Sequence, residues 1–351
     1  MGIDIILSYL IYFSKYLLVS LFLYLFGRSF FLILQSLSNK YTFIGLDIFF
    51  TKSNIIYPIF GFFFLGNTLL ILNFFLPLKS YIVYLICFAI ILLNLLETNF
   101  EKKVNYFSLV GFIAIPMILL ISTYDTNFHY DAGYYHLGTQ NWLRESNIIL
   151  GFVNIFWPYG VGSIYEYVSS FFWIDKSLQS LHFINLIFIS SFFSFCFYHS
   201  IYLKNSKLKY VTHFLLVYSF IDNFGISGGR NGFIYIEGIT AFDNAVGIIF
   251  YFVSIFSLVR IKYEKYEPIE LVSLFTLFVL AIQLKISSAL VSILFLKYLY
   301  SFIKSREIKL KNIFSLFSLN IFFIFGWLLK NYLTSGCLIF PINLTCKNNF
   351  S

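Results

Sequence analysis

The sequence predicts an all-α, polytopic transmembrane protein with about ten spans and a large outer loop that carries short helices. Three observations support this. First, 59% of the 351 residues are hydrophobic and only 11% are charged, against about 25% charged in a soluble domain. Second, the mean hydropathy is +0.82. Third, apolar runs long enough to cross a bilayer recur along the chain. These features exclude a secreted disulfide scaffold, a disordered chain, a nucleic-acid-binding module and a soluble enzyme. A β-barrel is excluded as well, because its strands alternate apolar and polar residues, whereas these runs are apolar all round.

Ten segments read as spans: 5–26, 55–77, 81–96, 106–122, 180–202, 209–224, 244–260, 268–284, 286–303 and 312–329. No internal repeat or long linker interrupts them, so residues 1–351 read as one integral membrane domain. The N-terminus, MGIDII, has no basic stretch before its first apolar run and reads as no cleavable signal.

The net charge of +8 reflects lysines and arginines gathered between spans. They form five groups: Arg28, Lys40 and Lys52; Lys102 and Lys103; Lys204, Lys207 and Lys209; Arg260, Lys262 and Lys265; and Lys304, Arg306, Lys309 and Lys311. Alternation through ten spans puts all five on one side, the cytoplasmic side by the positive-inside rule. The remaining loops then face outward.

The longest outward loop, 123–179, is far more polar than its flanks. A helix-like stretch follows Asp131, with Tyr135, Leu137 and Trp142 as interfacial anchors. A Trp157-Pro158 turn, Gly160 and Gly162 then break the pattern. Residues 163–174 form an apolar run too short for a span, which suits an interfacial or re-entrant helix.

Asp131 stands where a span delivers the chain to the membrane surface. A partly desolvated carboxylate there suits a general base, and a carboxylate at a helix start equally suits an N-cap. Tyr130 and His136 adjoin it as substrate-binding candidates. Asp125 and His129 are weak metal-ligand candidates; a divalent metal is compatible with this spacing, but nothing in the sequence requires a cofactor. A second outward loop carries Arg230 behind Gly228-Gly229, which suits clasping an anionic group, and Asp243 at a helix start. Lys285 lies at the outer end of a span, either as a partner for phosphate or for Asp243 or as a snorkelling anchor. Lys330 offers a further phosphate contact or an anchor. In the outward tail, 330–351, Cys337 and Cys346 form a candidate disulfide on the oxidising side, whereas Cys87 and Cys196 read as small core residues.

Tyr130-Asp131-Ala132-Gly133-Tyr134-Tyr135-His136, followed by a helix, GFVN and Trp157-Pro158-Tyr159-Gly160, resembles the first outer loop of GT-C-type integral membrane glycosyltransferases. More closely, YDAGYYHLGTQNWLRE with GFVN, and later LLKNYLTSGCLIFP with TC, resembles membrane proteins of bacterial surface-polysaccharide clusters. The resemblance covers about 123–165 and 327–346. It implies a GT-C-like fold, a polyprenyl-phosphate-linked sugar donor, a glycan or lipid acceptor, and Asp131 as the base that activates the acceptor. The second acid frequent in that family is Ala132 here. Two other readings share the topology: a polymerase of polysaccharide repeat units, relying chiefly on arginine, and a non-enzymatic flippase or transporter of lipid-linked oligosaccharides.

Overall fold

The computed structural model describes residues 2–38, 55–96, 109–123, 130–173, 178–202, 207–224, 242–263, 268–305 and 310–347. Every regular element among them is helical. The long elements are α1 (Gly2–Ser38), α2 (Tyr57–Asn73), α3 (Tyr81–Leu96), α4 (Ile115–Leu119), α5 (Leu137–Glu145), α6 (Ile164–Phe172), α7 (Gln179–Tyr202), α8 (Lys207–Phe224), α9 (Phe242–Tyr263), α10 (Pro268–Leu284), α11 (Ser292–Ser305) and α12 (Leu310–Ser335). A π-turn, Val110–Ala114, and a 3₁₀ turn, Leu120–Thr123, flank α4.

Each of the ten expected spans has a helix at its centre. Among the described residues, five stretches are long and apolar enough to cross a membrane: Asp4–Leu37, Ser180–Ile201, Phe242–Ile261, Ile286–Lys304 and Ser315–Ser335. Four shorter apolar helices accompany them: Tyr57–Asn73, Tyr81–Leu92, Val110–Leu119 and Pro268–Leu284. The chain therefore has the helices of a multi-pass membrane protein.

α1 and α2 make the most extensive helix pair among the described elements. Two glycines allow it. A Cβ on Gly27 would lie 2.0 Å from the carbonyl oxygen of Tyr57, and one on Gly61 only 1.7 Å from that of Leu23. The backbones touch where no side chain fits, as at small-residue interfaces between membrane helices. Phe26, Phe30, Phe31, Phe60 and Phe63 fill the space around this contact and are fully buried.

α10 is tied to its neighbours by polar side chains. Asn67 of α2 and Gln283 exchange two amide hydrogen bonds, of 3.0 and 2.8 Å. Thr276 and Asn320 of α12 are joined by donation from the Asn320 amide at 3.1 Å. All four residues are buried, so the alternative to each bond is an amide with no partner in an apolar interior.

Three expectations are corrected here. Arg28 does not lie in a loop after the first span, because α1 runs on to Ser38 and buries it. The helix continues since Gly27, which would weaken an exposed helix, is held against Gly61. Arg260 is likewise no loop residue; it is buried in α9 and paired with Glu270 of α10, the two helices being joined by a short connection. The apolar run at 163–174 forms α6, and all nine of its residues are buried. An interfacial helix would leave one face to water or headgroups, so burial sets that option aside and leaves the re-entrant one.

Segment 130–163 is fixed to one end of the helix bundle. Asn73, at the end of α2, donates to the carbonyls of Leu76 and Ser146 at 3.2 and 3.0 Å. The backbone N–H of Ile148 donates to Asn73, and that of Gly151 to Leu333 of α12, at 3.1 and 2.9 Å. The start of α9 and the end of α10 lie at the same end, joined through Asp243 and Lys285.

Gly61→Ala is expected to push α1 and α2 apart, since backbone atoms cannot move aside as a side chain can. The cost is about 1–3 kcal/mol or more, read as a lower melting temperature of the detergent-solubilised protein. Gly247→Ala, where an added Cβ meets nothing within 4 Å, serves as the control and is expected to leave it unchanged.

Candidate functional site

The site begins with a helix that opens at Tyr130 and contains a π-turn, Ala132–His136, before α5. Such turns insert an extra residue into the helical repeat and recur at functional sites. His136, Gln140 and Arg144 follow at intervals of four and so share one face. Glu166 and Ser170 share the facing side of α6 in the same way. His136 Nδ1 meets Glu166 Oε1, and Gln140 Nε2 donates to Glu166 Oε2 at 2.7 Å. The Ser170 hydroxyl lies 2.6 Å from the Glu166 carbonyl and 3.2 Å from the Gln140 carbonyl. Arg144 donates to the Ser170 carbonyl at 3.3 Å and stacks over Trp173. His136, Gln140, Glu166 and Ser170 are all buried.

A third element contributes Lys330 of α12. Its side chain is only 4% exposed. The ammonium donates to Asn331 Oδ1 at 3.4 Å and lies 6.0 Å from the centre of the Tyr167 ring. Lys330 and Glu166 line one small cavity of about 20 Å³, together with Thr139, Gly162 and Ser163; that volume holds about one water molecule. Gly162 makes room for the ammonium, because a Cβ there would lie 1.8 Å from Lys330 Nζ. Trp327 of the same helix donates to the Gly162 carbonyl at 3.2 Å, fixing the loop at that position.

Toward solvent, Asp131 is half-buried in the first turn of this helix, which opens one residue earlier. Tyr130 is exposed and stacks on Tyr134 with ring centres 5.5 Å apart. The Tyr135 ring lies 3.9 Å from that of His136. Burial, and then the negative charges of Asp131, Glu166 and Asp243, push the Tyr135 phenol up to about 12. The three carboxylates come from three different helical segments and all lie within electrostatic reach of this phenol.

Asp243 lies in the first turn of α9, and Lys285 is the single extended residue between α10 and the following 3₁₀ turn. Lys285 Nζ is 2.6 Å from Asp243 Oδ1, which realises the Asp243 option for this lysine. The Phe242 ring adjoins both Lys285 and His136, at 5.9 and 5.4 Å. The structure thus brings Tyr130, Asp131, His136, Asp243 and Lys285 to one region. Lys330 belongs to its buried side, beside a carboxylate, which argues against its use as a direct phosphate contact. Asp125, His129 and Arg230 lie outside the described residues. Among the described residues no three His, Cys, Asp or Glu side chains gather as a metal site.

Cys337 and Cys346 are joined by a disulfide, and Cys87 and Cys196 are free and buried. Within the loop that the disulfide closes, Phe340 packs against Gly160 and lies 5.2 Å from Trp157. The tail thereby seats the 157–163 turn that carries Gly162.

The family described as Domain of unknown function (DUF8201) matches residues 9–351. The chain belongs to this family. No curated protein and no solved structure matches it significantly. The match extends over the whole helix bundle, so the 130–163 segment and the C-terminal disulfide loop are parts of one family unit.

Glu166 and Gln140 were not among the residues singled out by sequence. The signal for Glu166 was a lone carboxylate within the apolar run IYEYVSSFF, since an acid buried there demands a partner. The signal for Gln140 was its four-residue spacing from His136. Asn73 carried no comparable signal.

Gly162→Ala places a methyl group on the Lys330 ammonium, the far end of a flexible side chain that can shift, and is expected to destabilise the protein by only about 1 kcal/mol. Combined with Lys330→Ala, which removes the clash, the two losses should be clearly less than additive; full additivity in thermal unfolding would contradict this contact. The Tyr135 phenol is held neutral, so its stabilising contribution is whole below about pH 10, where a free tyrosine ionises. It is lost as pH rises toward about 12. In an ultraviolet titration, the phenolate signal missing from Tyr135→Phe should belong to a step near pH 12; a missing step near pH 10 would refute the placement.

Proposed function

We propose that this protein is a membrane glycosyltransferase of GT-C-like architecture with about ten spans. It transfers a sugar from a polyprenyl-phosphate-linked donor to a cell-surface glycan or lipid acceptor, on the outer face of the bacterial cytoplasmic membrane. The observation that carries this reading is the gathering of Asp131 with Tyr135, the His136–Glu166 pair and the Asp243–Lys285 pair at one end of a bundle of apolar helices.

On this reading the polar end faces outward, opposite the basic clusters. Nucleotide sugars are cytoplasmic, so a transferase working outside needs a lipid-linked donor that has already crossed. Asp131 takes the proton of the acceptor hydroxyl as its oxygen bonds to C1 of the sugar. The C1–O bond breaks on the opposite side, and its electron pair leaves with the lipid phosphate, giving inversion. Lys285 and Arg230 are the cations assigned to that phosphate. The exposed Tyr130–Tyr134 stack offers an aromatic face to a sugar ring beside Asp131.

The test is the glycan profile of cells lacking the protein, complemented with wild type or Asp131→Asn at matched protein levels. Loss of a general base lowers transfer by about 10²–10⁴-fold, so the expected result is one missing sugar restored by wild type alone. A ladder collapsed to a single repeat unit, or full rescue by Asp131→Asn, would favour the polymerase or the transporter and overturn the assignment.

A further inference from the structure

The His136–Glu166–Gln140–Lys330 cluster contains more than is needed to join two helices. Glu166 faces three groups that can carry or share a proton. His136 meets one carboxylate oxygen through Nδ1, Gln140 donates to the other, and Lys330 lies across a water-sized cavity. Gln140 presents its N–H to Glu166, while its own oxygen is buried without a partner. That orientation suits an ionised carboxylate, which only accepts hydrogen bonds. With Glu166 ionised, Nδ1 of His136 carries the proton, and Nε2 is left as the basic nitrogen. Among the described residues Nε2 has no hydrogen-bond partner. The ring stands between Tyr135 and Phe242, and Phe242 directly precedes Asp243.

The charged groups facing this unit can be named element by element. The helix of His136 itself brings Asp131 and the Tyr135 phenol. α6 brings Glu166, α12 brings Lys330, and the start of α9 brings Asp243 with its partner Lys285. Glu166 is the one carboxylate here that is buried, and Lys330 the one buried ammonium among these groups. A buried carboxylate left without a compensating charge is costly, and the Lys330 ammonium supplies that charge across the cavity.

We infer that Lys330, Glu166 and His136 form a buried charge relay that makes Nε2 of His136 a proton-accepting group of the outward-facing site. Glu166 is the positioning residue and Lys330 its counter-charge. The inference rests on the transferase reading for its role in the reaction. Asp131 takes the acceptor's proton as the new C1–O bond forms, and Nε2 then receives that proton and restores the Asp131 carboxylate. The resulting imidazolium keeps its Nδ1–H on Glu166 and later returns the extra proton to water, so no proton is gained or lost over a cycle.

The relay itself can be tested without knowing the sugar. In ¹⁵N-histidine-labelled, detergent-solubilised full-length protein, the signal removed by His136→Asn should report protonated Nδ1 and bare Nε2 at mildly alkaline pH. Glu166→Gln turns an amide N–H toward Nδ1 and should reverse the tautomer. Lys330→Met should add a protonated-carboxyl band to the infrared spectrum, and that band should vanish in Lys330→Met/Glu166→Gln. A wild-type His136 protonated on Nε2, or a wild-type carboxyl band that Glu166→Gln removes, would overturn the relay even if the glycan assay supports the transferase. If the relay serves transfer, His136→Asn at matched protein level should lower it by about 10²-fold or more, with the remaining activity rising with pH. Full rescue by His136→Asn would overturn the role in transfer and leave the Asp131 assignment standing.

Discussion

A single buried carboxylate sets the terms for much of this structure. Glu166 sits in the middle of α6, a helix buried on every side, where an ionised acid must find partners within the protein. Those partners come from the outer helix, through His136 and Gln140, and from α12, through Lys330. Three segments distant in sequence are thus obliged to meet at one point. The glycine at 162 and the indole of Trp327 fit around that meeting, because the ammonium leaves no room for a Cβ and the indole holds the loop in place.

The bundle that receives this unit is assembled by different means. In a bilayer, apolar surface alone gives helices little reason to prefer one another over lipid. Close contact at Gly27 and Gly61 and the amide exchange between Asn67 and Gln283 supply the preference. These contacts lie on α1, α2 and α10, while the polar cluster lies at the end of the bundle. Rigid packing below and a polar network above leave the half-buried Asp131 and the exposed Tyr130 on a supported face.

The helices were legible in the sequence because a membrane span is written as one continuous apolar run, and each expected run holds a helix. Their ends were less legible. Arg28 and Arg260 read as loop markers, yet both are buried inside helices, Arg260 paired with Glu270 of the next helix. Of the gathering of Asp131, His136, Asp243 and Lys285, the sequence offered the Asp243–Lys285 pair as one option and the rest only as polar residues on one side. What joins them is tertiary, since Phe242 and Tyr135 stand between residues more than a hundred positions apart. Glu166 was visible as a charge of the long polar loop but was given no role, because nothing in the sequence shows that its helix is buried and that its partners lie on other elements.

The separation of Lys330 from Glu166 along the chain has a consequence for biosynthesis. Helices enter a membrane in the order of their synthesis, so α6 is made long before α12. Until α12 arrives, Glu166 has His136 and Gln140 beside it but lacks its buried cation. The Cys337–Cys346 loop, which seats Phe340 over Gly160, is made later still and closes only after exposure to an oxidising compartment. The polar end is therefore completed from the C-terminal side, and an interrupted chain would present an uncompensated acid to the insertion and quality-control machinery.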